Sequence, residues 1–147
     1  MRSFPECEEC NCNSKIPIKE PPNRSEIIFL NPDAIAVRKI KVDGCVIKDN
    51  KTLRCDYILI PGDDVEIYIE LKGSDINHAV KQIESTIRKL SENPAKLKKL
   101  CFIVSTRVPK QGTNTQNLQV QFKKKFNASF RVKNTPHTYD LKDLRKD

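Results

Sequence analysis

The hydrophobic period changes in the middle of this chain, and that change limits the folds it can adopt. Residues 65–72 alternate between apolar and polar side chains, as a strand does, so Glu70 and Lys72 share a face. Residues 76–90 instead carry apolar side chains at the spacing of an amphipathic helix. Residues 100–104 form a short apolar run that is typical of a buried strand. The order strand, helix, strand favours an α/β protein.

Further elements are predicted on both sides of this unit. Strands are predicted at 27–30, 36–48, 53–60, 129–133 and 137–141, and a second helix at 115–126. A four-residue turn at 49–52 joins two of these strands in a hairpin. Residues 1–25 are rich in proline, cysteine and charge, which predicts an irregular arm before a single domain at 26–147. We expect an α/β sandwich around a central mixed sheet.

The chain is basic: its 147 residues carry a formal net charge of +8, and its pI is about 9.2. A polyanionic partner suits such a charge, and nucleic acid is the commonest one. No apolar run is long enough to cross a membrane, and the N-terminus lacks the apolar region of a signal peptide. We therefore expect a cytoplasmic, reducing location with no membrane partner, where the six cysteines form no disulfide framework.

Acidic residues stand in two neighbouring predicted strands. Asp56 lies in the first, and the triplet Glu70-Leu71-Lys72 ends the second. Two carboxylates beside an ammonium group suit a magnesium site that activates a water molecule next to a phosphate. Asp56 and Glu70 would supply hard oxygen ligands, and the carbonyl of Leu71 another. Lys72 would orient the attacking water and offset phosphate charge.

This pattern resembles the PD-(D/E)XK nuclease superfamily, which includes restriction endonucleases, Holliday-junction resolvases and RecB-like nucleases. Asp56 matches the first aspartate of the motif, and Glu70-Leu71-Lys72 matches (D/E)XK after thirteen intervening residues. Cys55 stands where the motif has proline, a variable position. Gln82 resembles the glutamine that RecB-like members place on the following helix.

The resemblance implies a restriction-endonuclease-like sandwich in which helices flank the mixed sheet. It also implies a metal-dependent DNA endonuclease of restriction, phage defence or repair, with Asp56, Glu70, Lys72 and Gln82 as catalytic residues. Mg²⁺ is the expected cofactor and Mn²⁺ an alternative. Nucleic acid is the expected partner, DNA rather than RNA, and a homodimer is one arrangement that the resemblance suggests.

The superfamily usually has a further acidic residue upstream, and three residues are candidates for it. Glu26 precedes the first predicted strand, and Glu20 lies in the arm. If residues 49–52 form the hairpin turn, Asp43 lies opposite Ile58 on the same face as Asp56. Asp43 would then complete the acidic group.

Two other hypotheses remain open from the sequence. The chain is alternatively a catalytically inactive nucleic-acid-binding or interaction module that keeps the nuclease fold. Cys7, Cys10 and Cys12 form a C-x2-C-x-C cluster, which makes Zn²⁺ a second candidate metal. A tetrahedral zinc site needs a fourth ligand from elsewhere, and reduced thiols on a flexible arm are the simpler alternative.

Overall fold

The structure is a computed structural model that describes residues 1–72, 75–107 and 112–147, and strands and helices follow one another along them. The strands are β1 (Glu8–Asn11), β2 (Lys15–Lys19), β3 (Glu26–Leu30), β4 (Val37–Lys41), β5 (Tyr57–Pro61), β6 (Val65–Leu71), β7 (Lys98–Ser105), β8 (Ala128–Asn134) and β9 (His137–Asp140). The helices are α1 (Ile76–Leu90) and α2 (Thr113–Phe126), and a short 3-10 helix (Leu141–Arg145) follows β9.

The main sheet has six strands in the order β1-β4-β5-β6-β7-β8. Its first half is antiparallel, and β6, β7 and β8 run parallel to one another. A second sheet has three strands in the order β2-β3-β9, with β2 and β3 antiparallel and β3 and β9 parallel. The prediction of an α/β protein with a mixed sheet is therefore confirmed.

The main sheet is covered on both faces, by helices on one and by the second sheet on the other. Ile83 of α1 and Phe122 of α2 share a buried cluster with Tyr68 of β6. Ile67 of β6 belongs to the opposite cluster, together with Ile16 of β2. The expectation of helices flanking the sheet is thus correct for one face only. Both crossovers, β6-α1-β7 and β7-α2-β8, step along the sheet in one direction, and crossovers of one hand place their helices on the same face.

The helix predicted from the apolar positions between 76 and 90 is confirmed, and α1 spans Ile76–Leu90. Asp75 caps it, because its Oδ1 accepts the backbone N–H of His78 at a distance of 3.1 Å. Strands were expected at 100–104, 129–133 and 137–141, and β7, β8 and β9 lie there with slightly different ends. Within the described residues, no helix is long and apolar enough to span a membrane.

The hairpin prediction has the wrong register. β4 ends at Lys41 instead of residue 48, and Ile40, not Asp43, lies opposite Ile58. A long loop from 42 to 56 replaces the four-residue turn. Its first part folds back on itself, with Gly44 at a φ of +80° and a bridge between Asp43 and Ile47.

The prediction of an irregular arm at 1–25 is wrong as well, since β1 and β2 lie within it. β2 alternates buried Ile16 and Ile18 with exposed neighbours, and it covers the face of the main sheet that the helices leave free. The sequence predicts no disulfide framework, but one pair of cysteines is bonded, Cys7 with Cys45. This bond ties the start of β1 to the loop after β4.

We expect Cys45→Ser to lower the free energy of unfolding by about 4 kcal/mol, because the disulfide closes a loop with a sequence separation of 38 residues. Urea denaturation of the oxidised protein measures this difference. Cys12→Ser is the matched control, since Cys12 is an exposed free thiol, and its unfolding midpoint should equal that of the wild type. A wild-type protein whose stability is unchanged by reductant would contradict the prediction.

Candidate metal centre

Acidic residues from four parts of the chain meet in a cavity of about 330 Å³ at the end of β6. We call it the carboxylate cavity, and it is lined by Glu20, Pro21, Pro22, Asn23, Asp43, Asp56, Glu70, Leu71, Lys72 and Gln82. The residues singled out from the sequence that lie here are Glu20, Asp43, Asp56, Glu70, Leu71, Lys72 and Gln82. The predicted acidic site therefore assembles in the fold.

Three of the carboxylates are close enough to share one cation. Glu20, Asp43 and Asp56 each offer an oxygen, and these oxygens all lie within 4.8 Å of one another. Glu20 follows the end of β2, Asp43 follows β4, and Asp56 precedes β5. Since like charges at such distances repel, this arrangement favours a cation between them.

Glu70 deepens the negative charge of the cavity. Its side chain is only 6% exposed, and its Oε1 has no hydrogen-bond partner among the described residues. Burial and the neighbouring charge of Asp56 raise the pKa of Glu70. A buried carboxylate oxygen without a donor is costly, and a metal ion is one partner that would satisfy it.

Asp56 is held in place by the backbone of the neighbouring strand. Its Oδ2 accepts the N–H of Leu71 at 2.7 Å, which orients the carboxylate at the end of β6. Burial raises the pKa of Asp56, although this hydrogen bond opposes the shift. Asp56 and Glu70 thus disfavour a doubly ionised state without a compensating cation.

Two cations hold the outer carboxylates of the cavity. Lys41 Nζ lies 3.1 Å from Glu20 Oε1, and Arg54 Nε lies 2.9 Å from Asp43 Oδ1. Each of these carboxylates has a second oxygen that these two contacts leave to other ligands. The sequence carries no signal for Lys41 or Arg54, since neither belongs to the motif.

A buried threonine connects helix α1 to the segment that carries Asp56. Thr86 Oγ1 accepts the N–H of Cys55 at 2.9 Å and donates to the carbonyl of Gln82 at 2.8 Å. The bond to Cys55 fixes helix α1, which also carries Gln82, against the segment that carries Asp56. Thr86 is also missing from the sequence prediction, because a threonine inside an amphipathic helix carries no signal of such a role.

Lys72 lies at the mouth of the cavity, just beyond the end of β6. Its N–H still donates to the carbonyl of Val104 at 2.9 Å, but its φ is +75°, in the left-handed region. That conformation is uncommon for a residue with a side chain and costs about 1–3 kcal/mol. The side chain is exposed to solvent, where it is free to meet a ligand entering the cavity.

Of the three upstream acids, the structure brings Glu20 and Asp43 into the cavity but not Glu26. Glu26 begins β3, where its carboxylate lies 3.9 Å from Lys19 Nζ. The sequence does carry a signal for Glu20, since the alternation of Ile16 and Ile18 indicates a strand that ends just before it. Asp43 joins the cavity although its predicted register is wrong.

The three cysteines of the zinc hypothesis are not assembled into a metal site. Cys7 is bonded to Cys45, which removes one of the three thiolates. Cys10 and Cys12 are exposed free thiols on and after β1. In the described part of the chain, the one group of closely spaced metal-ligating residues is the carboxylate triad.

Comparisons of the chain with protein-family models, with curated proteins and with solved structures found no match. We therefore infer which ion the carboxylate cavity suits from the side chains that line it. Its donors are hard carboxylate oxygens, the ligands preferred by Mg²⁺, Mn²⁺ and Ca²⁺. An exposed ammonium group beside such donors suits an anionic substrate.

Proposed function

We propose that this chain is a metal-dependent nuclease that hydrolyses phosphodiester bonds, most simply a DNA endonuclease. The observation that supports this best is the convergence of four carboxylates with Lys72 in one cavity of a protein whose net charge is +8. The positive surface attracts a polyanion, while the cavity repels phosphate unless a cation neutralises it. A divalent metal resolves that conflict.

The donor set fits Mg²⁺, with Mn²⁺ as an alternative. Glu20, Asp43 and Asp56 would hold the ion, because their oxygens are mutually close, and the unpartnered Oε1 of Glu70 is the next available ligand. When bound, such an ion lowers the pKa of a water molecule and stabilises negative charge on the reacting phosphate.

The other residues of the cavity act on the substrate and the water. The ammonium group of Lys72 orients the attacking water and balances charge on the phosphate oxygens. The side-chain amide of Gln82, which lines the cavity, would donate or accept hydrogen bonds at its wall.

We expect the purified protein to cleave duplex DNA in Mg²⁺ or Mn²⁺ and to lose all cleavage when EDTA is added. Gel analysis of a supercoiled plasmid and of a labelled linear duplex measures this and separates endonuclease from exonuclease action. Readdition of Mg²⁺ should restore the activity. Cleavage that continues unchanged in EDTA would contradict the metal mechanism.

The alternative of an inactive binding module predicts a different pair of results. Such a module would bind DNA through lysine and arginine alone, so Ca²⁺ would not tighten binding, and Mn²⁺ would not produce cleavage. A nuclease site should bind DNA more tightly in Ca²⁺, which occupies oxygen sites of this kind. Fluorescence anisotropy on a short duplex at constant ionic strength distinguishes the two.

A further inference from the structure

A second depression lies between helix α1 and the loop after β4. It has a volume of about 480 Å³ and is lined by Leu53, Lys81, Glu84, Ser85, Arg88 and Lys89. We call it the α1 groove. Leu53 forms its wall on the loop side and is 40% exposed.

On both walls, a residue of the α1 groove is followed in the chain by a residue that lines or contacts the carboxylate cavity. On the helix, Lys81 lines the groove, and the next residue, Gln82, lines the cavity. On the loop, Leu53 lines the groove, and the next residue, Arg54, binds Asp43 of the cavity. The groove therefore lies beside the cavity.

The charge of the groove is positive. Arg88 lies 3.3 Å from Glu84, and this ion pair balances their charges. Lys81 and Lys89 are exposed, and neither makes an ion pair with another residue in the parts of the chain that the structure describes. These two ammonium groups leave a net positive charge along one side of α1, which is complementary to a phosphate backbone.

The length of the groove also suits a nucleic-acid strand. Lys81 and Lys89 are eight residues apart on one helix, which corresponds to about 12 Å along its axis. One strand of DNA advances about 3.4 Å per nucleotide, so the groove spans roughly three to four nucleotides. Leu53 on the opposite wall offers an apolar contact for sugars or bases.

We propose that the α1 groove binds the DNA backbone on one side of the phosphate that enters the carboxylate cavity. This inference rests on the proposed nuclease function, and it adds the path that the substrate follows across the protein. Lys81 and Lys89 contact phosphates, and Leu53 packs against the strand from the other wall. Contacts of this kind position the substrate without reading its sequence.

The test measures binding in EDTA, where cleavage does not interfere, by fluorescence anisotropy on a labelled 12-base-pair duplex at several salt concentrations. Lys81→Gln combined with Lys89→Gln should weaken binding about tenfold at low salt and reduce the salt slope by about 2, because each ammonium group that is removed neutralises one phosphate. Leu53→Asp should also weaken binding, because it places a negative charge on the opposite wall.

The matched control is Lys142→Gln combined with Arg145→Gln, which removes the same charge from residues lining a different cavity. We expect its affinity to stay within twofold of the wild type. If the groove variants bind DNA as tightly as this control, the proposal that the α1 groove binds DNA is wrong. Cleavage in Mg²⁺ would still support the proposed nuclease function. The converse result is that the wild type fails to cleave DNA under all conditions while the groove variants alone lose binding. That result would overturn the nuclease proposal and support DNA binding by the α1 groove.

Discussion

Asp56→Asn and Glu70→Gln should each reduce metal-dependent DNA cleavage by at least about a thousandfold. Both substitutions preserve side-chain shape but replace an anionic oxygen donor by a neutral amide oxygen, so the site would bind the metal more weakly. Initial cleavage rates in Mg²⁺ and Mn²⁺ measure the effect, and circular dichroism checks that the fold is retained. Lys72→Met should lower the rate to a similar extent without loss of metal binding.

The control for this series is Glu26→Gln. Glu26 is an upstream acid by sequence position, but it lies on β3 beside Lys19 and does not line the carboxylate cavity. Its variant should cleave at the wild-type rate within about a factor of two, whereas Glu20→Gln should lose most activity. Wild-type rates in both Asp56→Asn and Glu70→Gln would show that the cavity is not the catalytic site.

In EDTA, the stability of the wild type should fall as the pH rises above about 5. Burial and the charge of Asp56 raise the pKa of Glu70 above its ordinary value of 4.5. The folded state therefore keeps a proton that the unfolded chain releases, and the free energy of unfolding decreases with pH by about 1.4 kcal/mol per unit in that interval. Below pH 4.5 both states hold the proton, so Glu70 no longer makes the free energy of unfolding depend on pH, and none of the stability is lost there.

Urea denaturation between pH 5 and pH 8 in EDTA measures this slope. Glu70→Gln has no carboxyl group to titrate at position 70, so its stability should fall less steeply with pH, with buried Asp56 as the remaining contributor, and should exceed that of the wild type at pH 8. Glu26→Gln should keep the wild-type slope. Equal slopes in the wild type and Glu70→Gln would show that Glu70 does not carry the repulsion. Ca²⁺ should restore stability to the wild type at pH 8 through binding to the folded state.

The sequence alone determined the local elements around the site. The change of period from two to 3.6 predicted β6 and α1, and the short apolar run after them predicted β7. The same reasoning predicted that Asp56 and Glu70 lie on neighbouring strands; Glu70 lies on β6, whereas Asp56 immediately precedes β5. These periodic patterns are local, because the side chains that face the core recur every two residues in a strand and every three or four residues in a helix. They do not depend on contacts with distant parts of the chain.

Only the tertiary structure decided how distant segments meet at the site. Glu20 reaches the cavity because β2 covers the free face of the main sheet, and the loop after β4 brings Asp43 there in a register three residues from the predicted one. Pairing register, the packing of β2 and the bond between Cys7 and Cys45 depend on contacts between residues far apart in sequence. Local periodicity says which face of a strand is buried but not which segment covers it.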